Sequence, residues 1–286
     1  MKLLVHHIVF VLLSFFTAAY GQTKVEVITK TVEDQFIYRT GETVKVEGNA
    51  AQLRIQSWDQ QEVKVVMKLI SKGLDRKIAQ KELAYQKYVI DRINDTHVIR
   101  NYLLLPKGLE KLSTIQETVI EVWVPKSLRL EVSNRFGATE LFELAGNLTI
   151  ANEYGDLLLE KLNADLVVNS IFGDMKLTSY SGDLTCTLEH STFFSDGFMG
   201  SATMKTKLGD VEWTGLQNVK TIRLEAQQSN VTFQGIQTEA YHWKVKTRFG
   251  SIQFEGQSAE KKMEVGSFAL PSIDVTTDFG EIIINR

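Results

Sequence analysis

Eight segments of this chain fit one template: an apolar-x-apolar start, several polar residues, then in most of them an aromatic and a glycine. They start at Leu130, Leu148, Leu166, Leu184, Ala202, Ile222, Trp243 and Ile273. The first five starts are 18 residues apart, and the later intervals widen to 20, 21 and 30. A unit this short cannot bury its own apolar face, so only stacking on neighbours supplies a core.

Within the repeat runs a nine-residue beat of small residues: Gly137, Gly146, Gly155, Ala164, Gly173, Gly182, Ser191, Gly200 and Gly209. Aromatics precede only alternate members, at Phe136, Tyr154 and Phe172, whereas Ala145, Asn163 and Ser181 precede the others. The spacing predicts an 18-residue rung of two strands and two corners, with equivalent strands stacked in parallel at roughly 4.8 Å. A three-sided coil of about 27 residues per rung competes, and aromatics recurring at 18 count against it. The glycines are expected to supply positive φ at the corners. Phe136, Tyr154 and Phe172 are expected to stack internally, with Phe249 and Phe279 resuming the stack and His190 and Gln228 interrupting it.

The N-terminus reads as a secretory signal over residues 1–21: Lys2, an apolar run from Leu3 to Ala19, and small residues at Ala19 and Gly21 before a cut at Gln22. Residues 23–70 alternate with period two at Val25-Glu-Val27, Val44-Lys-Val46, Leu53-Arg-Ile55 and Val63-Lys-Val65, the mark of half-buried strands. From Leu74 to Leu83 the period becomes helical, with Leu74, Ile78, Ala79 and Leu83 on the apolar face. Strands return at Tyr88, Val98 and Val119, and Pro125 ends the last of them. Residues 22–125 thus cap the repeat of residues 126–286 within one continuous domain, because no Gly/Ser-rich or proline-rich linker divides them. The chain would leave Ile282-Ile283-Ile284 as a terminal rung with nothing over it, which predicts self-association through that end.

Removing residues 1–21 takes away Lys2 and no acidic residue, leaving 31 basic against 35 acidic side chains. That balance argues against a nucleic-acid partner. Cys186 is the single cysteine, so an intrachain disulfide is excluded; its setting is an inward strand position. His97, His190 and His242 show no ligand spacing, and no phosphate loop, Gly-x-Ser-x-Gly or His-Glu-x-x-His occurs. No cofactor is expected.

Aspartates recur after the corner residues. On an 18-residue rung Asp156 and Asp174 stack on one edge, with Asn147, Asp165 and Asp183 on the other. Either pair, Asp156 with Asp174 or Asp165 with Asp183, could hold calcium as an oxygen ladder or supply the paired carboxylates of a β-helix polysaccharide enzyme. The simpler reading is that each accepts backbone N–H bonds in a tight turn. Trp123, Trp213 and Trp243 fall on apolar strand positions and read as core. Trp58, in the polar turn Ser57-Trp58-Asp59-Gln60, is the aromatic to test for ligand contact.

Ser57-Trp58-Asp59, Val122-Trp-Val-Pro-Lys126 leading into Leu130-Glu-Val-Ser-Asn-Arg-Phe-Gly137, and the closing Asp278-Phe-Gly-Glu-Ile282 together resemble the putative-adhesin β-solenoid family of exported bacterial proteins, the domain of unknown function numbered 4097. The resemblance spans nearly the whole chain after the signal and implies an all-β, single-stranded parallel β-solenoid with an N-terminal cap and one short helix. It implies no catalytic residues. The expectation is an exported, non-enzymatic module of the periplasm or cell surface, meeting an envelope protein or a glycan. A carbohydrate-active enzyme and a structural periplasmic protein are the alternatives.

Overall fold

The computed structural model describes residues 24–286; the expected signal segment lies outside them. The first part comprises β1 (Glu26–Ile37), β2 (Thr43–Asn49), β3 (Ala51–Trp58), β4 (Glu62–Gly73), α1 (Arg76–Leu83), β5 (Gln86–Ile93), β6 (Thr96–Leu103) and β7 (Ile115–Pro125). The repeat begins with β8 (Ser127–Arg135), β9 (Thr139–Phe142), β10 (Ala145–Glu153), β11 (Leu157–Glu160) and β12 (Asn163–Ile171). It continues through β13 (Met175–Glu189), β14 (Phe193–Lys207), β15 (Val211–Thr214), β16 (Val219–Gln227) and β17 (Val231–Gln234). Last come β18 (His242–Phe249), β19 (Ile252–Phe254), β20 (Gln257–Ala259), β21 (Lys262–Val265), β22 (Ser272–Phe279) and β23 (Ile282–Ile284). They make one 23-stranded sheet that curves nearly closed around a single core.

The alternation read from the sequence is the alternation of burial. In β8, Leu128, Leu130, Val132 and Asn134 point inward while the residues between them face water. Leu130 pairs in parallel with Leu148, Leu148 with Leu166, Leu166 with Leu184, Leu184 with Ala202, and Ala202 with Ile222. A second parallel column runs beside it through β9, β11, the first halves of β13 and β14, β15 and β17. Each fully buried Leu, Ile or Val contributes about 1.5–3 kcal/mol.

Pairing is mixed rather than uniformly parallel. At the N-terminal end β6 and β7 lie parallel to β2 and β3, but β5 pairs with β6, β4 with β7, and β1 with β4 in antiparallel fashion. At the other end β21 and β20 pair antiparallel with β18 and β19.

The order of the last rungs departs from chain order, and this overturns the expected open end. Ile222 pairs with Ile273, and Ile273 with Trp243, so β22 lies between β16 and β18. Likewise β23 pairs with both β17 and β19. Ile282-Ile283-Ile284 is therefore an interior rung with both edges used. Self-association through it is ruled out. The same device operates at the N-terminal end, where β2 and β3 sit between β6/β7 and β8/β9.

Helix α1 starts where expected but buries a different face. Asp75 caps it, its Oδ1 accepting from the N–H groups of Lys77 (2.7 Å) and Ile78 (3.0 Å). Leu74 and Ile78 are exposed, Leu83 is partly buried, and Ala79 and Glu82 are the buried residues. Glu82 faces inward because its carboxylate accepts the N–H groups of Ser113 and Thr114 and the Thr114 hydroxyl (2.6 Å), fixing the segment that leads into β7. Burial pushes this carboxyl up, but those hydrogen bonds outweigh it and hold it below the usual range. No described helix is long and apolar enough to cross a membrane.

Candidate interaction edge

Each 18-residue unit turns from the first column to the second through three residues: aromatic, glycine, then often aspartate. The left-handed conformation falls on the first of them, not on the glycine. Phe136, Tyr154, Phe172, His190, Leu208 and Gln228 all have φ between 52° and 61°, and Ala50 takes the same place on the preceding rung. That φ breaks the alternation that would send Phe136 inward after Val132 and Asn134. The side chain swings out instead.

The glycines serve a different need. A Cβ on Gly155 would lie 2.1 Å from the carbonyl oxygen of Gly137, and one on Gly173 would lie 1.9 Å from that of Gly155. On these rungs glycine suits the close approach of successive rungs, whereas Ala51, Ser191 and Ser229 hold the equivalent place elsewhere. At this corner positive φ falls on glycine only at Gly280 (142°), on the Phe279 rung; elsewhere it falls on glycines such as Gly146, Gly182 and Gly200 of the opposite corner.

The expected aromatic stack exists, but on the outside. Phe136 and Tyr154 stack at 5.0 Å between centroids, Tyr154 and Phe172 at 5.1 Å, and Phe172 and His190 at 4.6 Å, all within 15° of parallel. His190 extends the stack rather than interrupting it. Phe136 is 51 % exposed, and Tyr154 and Phe172 are each 45 % exposed. Phe249 and Phe279 form a second exposed pair at 4.9 Å farther along the same edge. The Arg135 guanidinium lies 4.9 Å from the Phe136 ring and bonds Glu153 at 3.1 Å. Inside the opposite corner, Tyr180 and Phe198 make the internal stack, at 5.4 Å.

Two grooves flank this edge. One, of 450 Å³, runs along the first column beside the gap between the two aromatic groups, lined by Glu189, Lys205, Lys207, Glu225, Gln227 and Asp278 among others. The other, of 440 Å³, lies on the second column beside Asp156, Asp174, Lys176, Thr192 and Phe194.

The aspartates are placed as the repeat implies, and their chemistry is that of the turn. The Asp174 N–H donates to Asp156 Oδ1 (3.1 Å), the Thr192 N–H to Asp174 Oδ1 (3.0 Å), and the Asn230 N–H to Asp210 Oδ1 (3.0 Å). Asn230 passes the pattern on to the N–H of Glu281. Each carboxylate thus neutralises a backbone donor one rung away, which relieves the repulsion of a stacked row. Among the described residues no group of three or more His, Cys, Asp or Glu is arranged to hold a metal ion. We expect millimolar calcium to leave the melting temperature unchanged, and Asp174→Ala to cost about 1 kcal/mol by loss of one charge-assisted bond. A calcium-dependent rise of roughly 5 °C abolished by Asp156→Ala with Asp174→Ala is the contrary result.

Asp165 and Asp183 sit on the opposite edge at exposed positions, far from the aromatic stack in the turn of each rung. They neighbour Tyr180, whose hydroxyl donates to the Ala164 carbonyl (2.7 Å). Burial first, then those two carboxylates, push that phenol well above its ordinary range. Trp58 lies at the end of β3 remote from the aromatic edge. It is half-buried, and its indole N–H donates to the Glu62 carbonyl (2.7 Å), closing the β3–β4 turn. Trp213 and Trp243 are core, but Trp123 is half-buried on the outer face beneath the Lys64 ammonium (5.5 Å). Cys186 is buried, which raises its thiol far above the usual range.

One buried polar cluster carried no sequence signal, because its central pair, Glu42 and His97, is 55 residues apart. The Glu42 carboxylate receives His97 Nε2 (2.8 Å), Arg92 Nη2 (2.6 Å) and the Arg39 N–H (2.9 Å), while the His97 ring stacks on Phe36 at 4.3 Å. The hydrogen bond from His97, with that from Arg39, holds the Glu42 carboxyl below its usual value. With its oxygens engaged in this way, the cluster fastens β2 to β5 and β6.

No family model matches the chain, and neither does any curated protein. Among solved structures, it is similar to a protein named putative adhesin from Bacteroides fragilis, with 12 % identity over 90 % of this chain and 97 % of that one, at a TM-score of 0.49. It is also similar to a putative adhesin from Parabacteroides merdae (10 % identity, 90 % and 96 % covered, TM-score 0.38). A third is named putative lipid binding protein, from Parabacteroides distasonis (10 % identity, 89 % and 96 % covered, TM-score 0.33).

Proposed function

We propose that this chain is an exported, non-enzymatic, adhesin-like β-solenoid that engages a protein of the bacterial cell envelope along its aromatic edge. The observation that carries the reading is the exposed stack Phe136-Tyr154-Phe172-His190. The corner does not need aromatics, since Ala50, Leu208 and Gln228 occupy the same place with the same φ. Holding a residue with a Cβ there costs about 1–2 kcal/mol, and each stacked pair returns about 0.5–1.5 kcal/mol. Stability is thus roughly balanced, and what the rings add is a contiguous exposed apolar strip.

Their faces are covered by one another, so the strip offers ring edges rather than the open faces on which a sugar stacks. That favours an apolar ridge on a protein partner over a glycan. The 18-residue, in-register pairing supports the solenoid description, and the segment over residues 1–21 supports export to the periplasm or the cell surface.

The test is binding of labelled protein to isolated envelopes. Saturable binding is expected, lost when the envelopes are first treated with protease. It should weaken roughly tenfold or more in the triple variant Phe136→Ser, Tyr154→Ser, Phe172→Ser, whose melting temperature stays close to the parent's. Equal binding by the triple variant overturns the reading, as does release of cleavage products from neutral or anionic glycans. Fractionation with surface proteolysis assigns the compartment.

A further inference from the structure

The strand farthest out at the N-terminal end is long, regular and unpaired along one side. Among the described residues β1 pairs only with β4, over twelve consecutive positions from Glu26↔Gly73 to Ile37↔Glu62 without a register shift. It contains no proline and no residue of positive φ, so two of the usual protections of an edge, proline and a bulge, are missing. Val27 and Ile37, near its two ends, are 51 % and 66 % exposed.

We propose that β1 is a self-association edge: two copies of the chain join it antiparallel about a two-fold axis at Val32. A two-fold axis perpendicular to a sheet keeps the core-facing side of both strands aligned, so even-numbered residues must meet even-numbered ones. With Val32 opposite its own copy, Lys30 faces Asp34 and Asp34 faces Lys30, giving two opposite-charge pairs. Ile28 faces Phe36 on the core side, and Val27 faces Ile37 on the outer side. Lys30 and Asp34 are both exposed, and neither has an ion-pair partner among the described residues; the Lys30 ammonium rests over the Tyr88 ring at 5.0 Å. Shifting the axis by one residue to Thr31 places Lys30 against Val32 and Asp34 against Ile28, stranding both charges. The charge pattern therefore selects both the second copy as occupant and the register.

This inference does not depend on the aromatic edge, which lies on a different part of the surface. Its test is the mass of the purified protein in solution, with charge-swapped variants. A dimer is expected for the parent. Lys30→Glu alone and Asp34→Lys alone each turn two attractions into repulsions and should weaken dimerisation roughly tenfold or more. The double variant Lys30→Glu with Asp34→Lys should restore it. Val32→Cys supplies an independent reading. Opposed Cα atoms lie about 4.5–5.5 Å apart, within disulfide range, so mild oxidation should give a covalent dimer. Thr29→Cys should not, because its two copies stand roughly 20 Å apart along the strand; buried Cys186 does not compete. A monomeric parent at every soluble concentration overturns the proposal. So does failure of the double variant to recover, or growth beyond a dimer, which would signal head-to-tail pairing of β1 with a different one-sided strand such as β5, β20 or β21.

Discussion

Gly173→Ala is expected to destabilise the protein by about 3–5 kcal/mol, an effect at the upper end of what single substitutions do. The added methyl would stand 1.9 Å from the Gly155 oxygen and 2.6 Å from its carbonyl carbon. Those are backbone atoms of the next rung, held by parallel pairing on both sides, so they cannot move aside as a flexible side chain would. Relief requires prying two rungs apart, at the expense of hydrogen bonds in both columns. Gly41→Ala makes the contrast. No atom lies within 4 Å of its Cβ, and only its φ of 95° opposes the change, so its cost should be about 1 kcal/mol. Urea titration of both variants decides the matter, and a Gly173→Ala midpoint close to that of Gly41→Ala would refute the close-approach account.

Trp213→Ala is expected to cost about 3–5 kcal/mol, as truncation of a large buried aromatic does. Its indole is wholly buried among Phe193 (4.9 Å), Phe198 (5.1 Å, edge-on) and Phe233 (6.3 Å, parallel), the start of an aromatic run that reaches Trp243 and Phe254. The cavity left by truncation would open in the middle of the stack, where rungs above and below are fixed by register and collapse is limited. Trp213→Phe should be much milder, within about 1.5 kcal/mol. The indole N–H of Trp213 has no hydrogen-bond partner, so removing it leaves no acceptor stranded. Thermal denaturation of the two variants should therefore separate them widely; similar melting temperatures would show that the N–H, not the ring volume, matters at this site.

The 18-residue period and its two unlike corners were legible from Leu130 to Ala202 because burial follows the alternation of the residues themselves. The side on which the corner aromatics lie was not. Hydrophobicity argues for burial, and strict alternation from Leu130 through Asn134 sends Phe136 inward; one left-handed residue reverses that direction. A signal was available in the aromatic-glycine pair itself, recurring where a strand must end. The aspartates were easier, since a carboxylate after a corner glycine has a donor one rung away. The rung order at the ends left only a faint trace, the widening of intervals to 21 and 30. Pairing of Ile222 with Ile273 instead of Trp243 depends on long-range closure, to which local periodicity is blind. The Glu42–His97–Arg92 cluster was equally out of reach, because such pairs are brought together only by folding.

The out-of-sequence rungs bear on how this molecule can change its length. At each end one rung is inserted beneath another that is not its neighbour in the chain: β2/β3 under β6/β7, and β22/β23 under β18/β19. Each end is a clasp. Adding or deleting a unit there would leave an inserted strand without its two flanks. Between the clasps, from Leu130 to Ala202, every unit meets its sequence neighbours in the same register and could be duplicated or lost without disturbing either end. The ruler is adjustable in its middle and locked at both tips, so the number of rings along the aromatic edge can vary while the termination of the fold stays constant.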